Sequence, residues 1–139
     1  MTGQQIGVRR DLVLAWAARQ PSSSMSHPFG DHAAVMKVGA RIFLIVQLTG
    51  SPVLVTLKAD PERAVELVRD HPGITPGYHT NKRHWVSIDL DSAVSDALLR
   101  ELVEDAYDLV VAGLTARARF DVDPDRFPLP GRHRPGTKA

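Results

Sequence analysis

Residues 76–85, Pro-Gly-Tyr-His-Thr-Asn-Lys-Arg-His-Trp, set Lys82, Arg83, His79 and His84 between two aromatics, Tyr78 and Trp85, with no carboxylate among them. That mixture can do three things. Lys82 and Arg83 can neutralise phosphates of a nucleic acid while Tyr78, His84 or Trp85 stacks on a base or sugar. Backbone amides at the Pro-Gly turns, with Lys82, Arg83 and a histidine, can instead cradle a small phosphate or carboxylate. In the third reading the stretch is only a well-made turn, with Asn81 capping it, Trp85 buried at a sheet edge and the cations solvated. Trp85 alternates onto the same strand face as Ser87 and Asp89 and away from Val86, Ile88 and Leu90, which favours a half-exposed ring beside cations. Arg41, Lys58 and Lys37 lie on neighbouring predicted strands and extend the same basic surface if they project toward it.

Other chemistries find less support. The pairs His27/His32 and His79/His84 are each spaced by five, which is not the i, i+4 spacing of a helical metal pair, so no metal is expected. The chain has no cysteine, which excludes disulfides, thiolate zinc sites, iron–sulfur clusters and a cysteine nucleophile. No GxSxG, GxxxxGK[ST] or GxGxxG pattern occurs. His27 with Asp31 reads better as a turn held by an Asp side chain than as an acid/base pair, and Asp89 and Asp91 read as capping residues. A binding protein that is not an enzyme and needs no cofactor is the expectation.

A net charge of +1 gives no global pull on nucleic acid, but its distribution is uneven. Residues 1–60 hold six basic against three acidic residues, 61–120 seven against ten, and 121–139 four against three. The acids of the middle section concentrate between Asp89 and Asp108, so an anion would meet residues 71–88 instead. No apolar run reaches membrane-spanning length and the start lacks the apolar segment of a secretion signal, so a cytoplasmic protein is expected, with no membrane partner.

The elements follow from periodicity. At 139 residues the chain suits one domain with one core. Residues 6–19 place Leu12 and Trp16 at helical spacing before Pro21. Residues 34–38, the Gly39-Ala40 hairpin pair, the apolar run 42–48 and the alternating stretch 53–58 predict a three-strand meander. Asp60-Pro61-Glu62 opens a second helix that ends before Pro72. Residues 72–84 read as a long loop and 85–90 as a half-buried fourth strand. Ser95 caps a last helix with a broad apolar stripe, whose opposite side collects Glu101, Glu104, Asp105 and Asp108; this is read as a solvated face. The section 1–119 forms the expected domain. The Pro-rich basic section 120–139, with Arg126, Arg132, Arg134 and Lys138, is expected to be a loosely ordered tail. The fold class is α+β, ordered α-β-β-β-α-β-α with an antiparallel sheet.

With these elements placed, the chain resembles the MmcQ/YjbR family from about residue 16 to residue 114. Pro21, HPFGDH at 27–32, VMKVGARIF at 35–43, LKADPERA at 57–64, residues 76–85 and AYDLVV at 106–111 carry the likeness. The resemblance implies a frataxin-like sandwich with helices on one side of the sheet. It also implies DNA binding, a label that rests on the likeness of the family fold to a double-wing domain and so on analogy. Ala40-Arg41 stands where relatives often carry Gly-Lys, which keeps a cation in altered geometry. A small anion or a protein partner at the same loop is the alternative.

Overall fold

The computed structural model describes residues 1–77 and 80–129, and Tyr78 and His79 lie outside them. Its ten elements are α1 (Gly3–Ala18), β1 (Ser24–Ser26), β2 (Ala33–Val38), β3 (Arg41–Gln47), β4 (Leu54–Lys58), α2 (Pro61–Asp70), β5 (Ile74–Pro76), β6 (Trp85–Asp89), α3 (Asp96–Ala112) and α4 (Ala116–Val122). The strands form one antiparallel sheet of six, ordered β1-β2-β3-β4-β6-β5. This confirms the α+β class and the meander β2-β3-β4, and it adds β1, β5 and α4 to the expected seven elements.

The expected caps are in place. Asp60 accepts the amides of Glu62 and Arg63 at the start of α2, ahead of the dipole-facing Glu62, and Ser95 accepts from Leu98 at the start of α3. Helix α1 begins at Gly3, earlier than its apolar spacing predicts, because Thr2 and Gln5 form a reciprocal capping box. Gly39 and Ala40 both take positive φ, 55° and 65°, and close the β2–β3 hairpin in the left-handed geometry such tight turns require. A side chain at Gly39 would also strike Leu114, whose Cδ1 lies 2.8 Å from the Cβ position.

Helix α3 lies across β3 and β4 and packs on α1, while α2 lies beside β5 and β6. Phe43 and Tyr107 meet edge to face at 5.5 Å in the core between sheet and helices. Cross-strand register puts Leu44, Leu57 and Val86 opposite one another, and likewise Val46, Val55 and Ile88, and all six are fully buried. Two long-range polar ties fix the helices. Tyr107 Oη donates to the Pro21 carbonyl at 2.6 Å. The buried Arg9 donates to the carbonyls of Leu90, Ser92 and Val94 and pairs with Asp96 at 3.1 Å.

Two expectations are corrected. Strand β6 is more buried than expected: Val86, Ser87 and Ile88 are all inaccessible while Trp85 and Asp89 are half buried, and Ser87 can be buried because its Oγ and Thr56 Oγ1 satisfy each other at 2.7 Å across the β4–β6 pair. Nor does order end at Arg119. Thr115 caps α4, Val122 is buried and its carbonyl accepts from Ser22, and Phe127 packs on the core. Residues 130–139, including Arg132, Arg134 and Lys138, lie outside the described residues.

Candidate functional site

An antiparallel sheet brings alternate strand termini to the same end. Here the C-termini of β2, β4 and β5 meet the N-termini of β3 and β6, as the pairs Val38/Arg41, Lys58/Trp85 and Pro76/Val86 record. Lys37, Arg41, Lys58, Lys82, Arg83, His84 and Trp85 therefore gather at one end of the sheet, while Asp89 and Asp91 stand at the other.

The described residues of the connection between β5 and β6, Gly77 and 80–84, are held by hydrogen bonds. The Asn81 side chain accepts the Arg83 amide at 3.1 Å, and the Asn81 carbonyl accepts the His84 amide at 3.1 Å. Gly77 donates to the Trp85 carbonyl at 2.9 Å, and Ala59 donates to that of His84 at 2.9 Å, so both ends of the turn are pinned to the sheet. Gly77 is required by close approach: a Cβ there would lie 2.2 Å from Thr80 Oγ1 and 2.6 Å from Trp85 Cβ. The capping role read for Asn81 is thus observed, and the turn holds Lys82 and Arg83 outward, both exposed.

The cations of this end lack carboxylate partners, a property they share with Arg10, Arg19 and Arg119 elsewhere on the described residues. Among the described residues, Arg9, Arg63, Arg69, Arg100, Arg117 and Arg126 each have a carboxylate within 4.0 Å, whereas Lys37, Arg41, Lys58, Lys82 and Arg83 have none. Their charge is not offset by an ion pair within 4.0 Å, although Lys58 shares a groove with Asp60, Asp105 and Asp108.

Five of the predicted residues divide between two grooves, and Lys37, Asn81 and His84 line neither. Lys82 and Arg83 line one with Pro76, Val86 and the outer side of α2, and its volume is about 520 Å³. Arg41, Lys58 and Trp85 line another with Ile42 and the C-terminal part of α3, at about 370 Å³. In the second, Lys58 Nζ lies 5.5 Å from the centre of the half-buried Trp85 ring. The juxtaposition of Lys58, Arg41 and Trp85 was conditional on strand direction in the sequence, and the register supplies it.

A third groove, of about 320 Å³, carries the opposite sign, with Asp60, Asp105 and Asp108 beside Lys58 and Arg63. The carboxyl of Asp105 is pushed above its ordinary value, first by burial and then by the neighbouring charges of Glu101 and Asp108. Among the described residues no group of three or more histidine, aspartate or glutamate side chains is placed to hold a metal ion. His32 Nδ1 lies 3.3 Å from Thr49 Oγ1. No described helix is long and apolar enough to cross a membrane.

Comparison with known proteins follows the same outline. The family model described as YjbR matches residues 18–109. An Escherichia coli O157:H7 protein, the uncharacterised YbdF, is 39% identical over 109 residues, which cover 78% of this chain and 88% of the relative. The uncharacterised YjbR of Escherichia coli K12 is 29% identical over 71% of this chain and 84% of its own. The crystal structure of Deinococcus radiodurans protein DR2400, a DUF419 domain, superposes with a TM-score of 0.75 at 36% identity, covering 94% of this chain and 95% of that one. A Pseudomonas syringae protein shares the fold at a TM-score of 0.62 and 23% identity, over 72% of this chain and 97% of its own. By family model, by sequence over most of its length and by fold, the chain belongs to the YjbR family.

Proposed function

We propose that this protein is a binding domain without catalytic activity that engages nucleic acid, DNA foremost, through the basic end of its sheet. The observation that carries this reading is the pairing pattern: five cations from four different segments converge on one end of the sheet, and among the described residues none has a carboxylate partner. Lys82 and Arg83, on the pinned turn, reach outward to phosphates. Lys58 and Arg41 flank them, and Trp85 offers a partly accessible ring for stacking against a base or sugar. The exposed acids Glu101, Glu104 and Asp108 on α3 repel a polyanion and so restrict the approach to the sheet end.

The test is fluorescence anisotropy of labelled duplex and single-stranded DNA against the native protein and a Lys82→Ala/Arg83→Ala variant across a salt series. Each neutralised duplex phosphate contributes about −0.9 to the slope of log K on log salt, so five contacts give about −4.5 and the variant about −2.7. Absence of binding at low salt, or equal binding by the variant, would defeat the proposal.

A further inference from the structure

The groove beside Lys82 and Arg83 has a floor that phosphate recognition does not use. Its walls are Ala64, Val65 and Val68 of α2 facing Pro76 and Val86 of the sheet. Ala64 and Val68 are one helical turn apart and so share a face of α2. Val65, next to them, is 67% exposed, one of the few large apolar side chains left in water. A volume of about 520 Å³ lies within the roughly 300–1,000 Å³ of small-molecule sites, which combine an apolar lining with a few placed charges.

The rim sets the sign and the amount of charge. Lys82 and Arg83 are free of carboxylate partners among the described residues, whereas Arg69 is held by both oxygens of Asp70 at 2.8 and 3.2 Å, and Glu62 contributes one negative charge. The uncompensated charge at this groove is therefore close to +1. A polyphosphate would leave negative charge beside Glu62, but a single carboxylate would balance the rim.

From this we infer that the α2–β6 groove is a binding site for a monoanionic amphiphile, a carboxylate carried on an apolar chain or ring. The carboxylate pairs with Lys82 and Arg83, and the apolar body lies over the buried Val86 along Val65 and Val68 and removes those two from water. This goes beyond the nucleic-acid reading, since it concerns the groove's floor and a different ligand class, although the two cations serve both.

The experiment is a titration of the ¹⁵N-labelled full chain with sodium acetate, hexanoate and octanoate, followed by amide chemical shifts. Octanoate is expected to give saturable shifts at Val65, Val68 and Val86. Affinity should rise about fourfold per added methylene, so roughly fifteenfold from hexanoate to octanoate. Lys82→Ala/Arg83→Ala, both at exposed positions and checked for an unchanged melting temperature, should weaken octanoate at least fivefold. Octanol, of similar length without the charge, should bind no better than octanoate does to that variant. Equal affinity for acetate and octanoate, shifts that map elsewhere, or an unweakened variant would each overturn the inference. A chain that binds DNA in a salt-dependent way and leaves octanoate alone would lose this site and keep the nucleic-acid reading. The converse result would do the reverse.

Discussion

Lys58 and Trp85 are direct cross-strand partners, and the Lys58 ammonium stands 5.5 Å from the centre of the Trp85 ring. The pair joins the last residue of β4 to the first of β6 at the point where the basic turn leaves the sheet. Trp85→Ala should cost about 2 kcal/mol in urea unfolding, less than a full core tryptophan because the ring is half buried. Lys58→Met should leave stability within about 1 kcal/mol, since a partly exposed cation–π contact contributes about that amount. If Lys58 meets a phosphate, the same variant lowers the salt slope of DNA binding by about 0.9.

Arg9 is buried and supplies donors to three carbonyls in the segment between β6 and α3 as well as to Asp96. Arg9→Met should remove about 3 kcal/mol or more, because three carbonyls then lose their donor inside the protein. Arg9→Lys should rescue little, since one ammonium cannot reproduce the planar fork that spans Leu90, Ser92 and Val94. Equilibrium unfolding of the two variants checks both statements.

Asp105 binds its proton more tightly folded than unfolded, its carboxyl being raised above 3.8 by burial and by Glu101 and Asp108. For a raised acid the sign is unfavourable at neutral pH. Its protonated form favours the folded state below the unfolded value, and that advantage is lost as pH rises through the folded one. Asp105→Asn should therefore raise the melting temperature at pH 7, and the gain should vanish below about pH 3.8. Melting curves at pH 3.5, 5 and 7 decide it.

Gly77→Ala should open the turn. The added carbon would fall 3.0 Å from the Trp85 carbonyl carbon, which is backbone, as well as against Thr80 and the Trp85 side chain. A destabilisation of about 1–3 kcal/mol is expected for such overpacking. Hydrogen exchange at the Gly77 amide, which donates to Trp85, should accelerate by more than the global loss explains.

The parts of the fold legible in the sequence were those with local signals. Asp60-Pro61 and Ser95 announce helices α2 and α3, Gly39-Ala40 announces a hairpin, and alternation at 53–58 and 85–90 announces strands. Strands β1 and β5 were not legible, because Ser-Met-Ser and Ile-Thr-Pro have no alternation of their own and become strands only by pairing with β2 and β6. Helix α4 was hidden by the Pro-rich composition that follows it, although Thr115 was a readable cap. Arg9 could not have been found, since its partners lie 81 to 87 residues away. Of the candidate site, the charge of the 76–85 turn was visible at once. The gathering of Arg41, Lys58 and Trp85 depended on register, and the apolar wall contributed by α2 depended on how that helix docks.

Both margins of the sheet are three-residue strands, and β5 ends at Pro76, a residue with no amide hydrogen to offer. A neighbouring extended peptide would find little backbone to pair with at either side, so growth of the sheet by strand addition is blocked from within the fold. A crowded solution of the domain should therefore resist ribbon-like self-association.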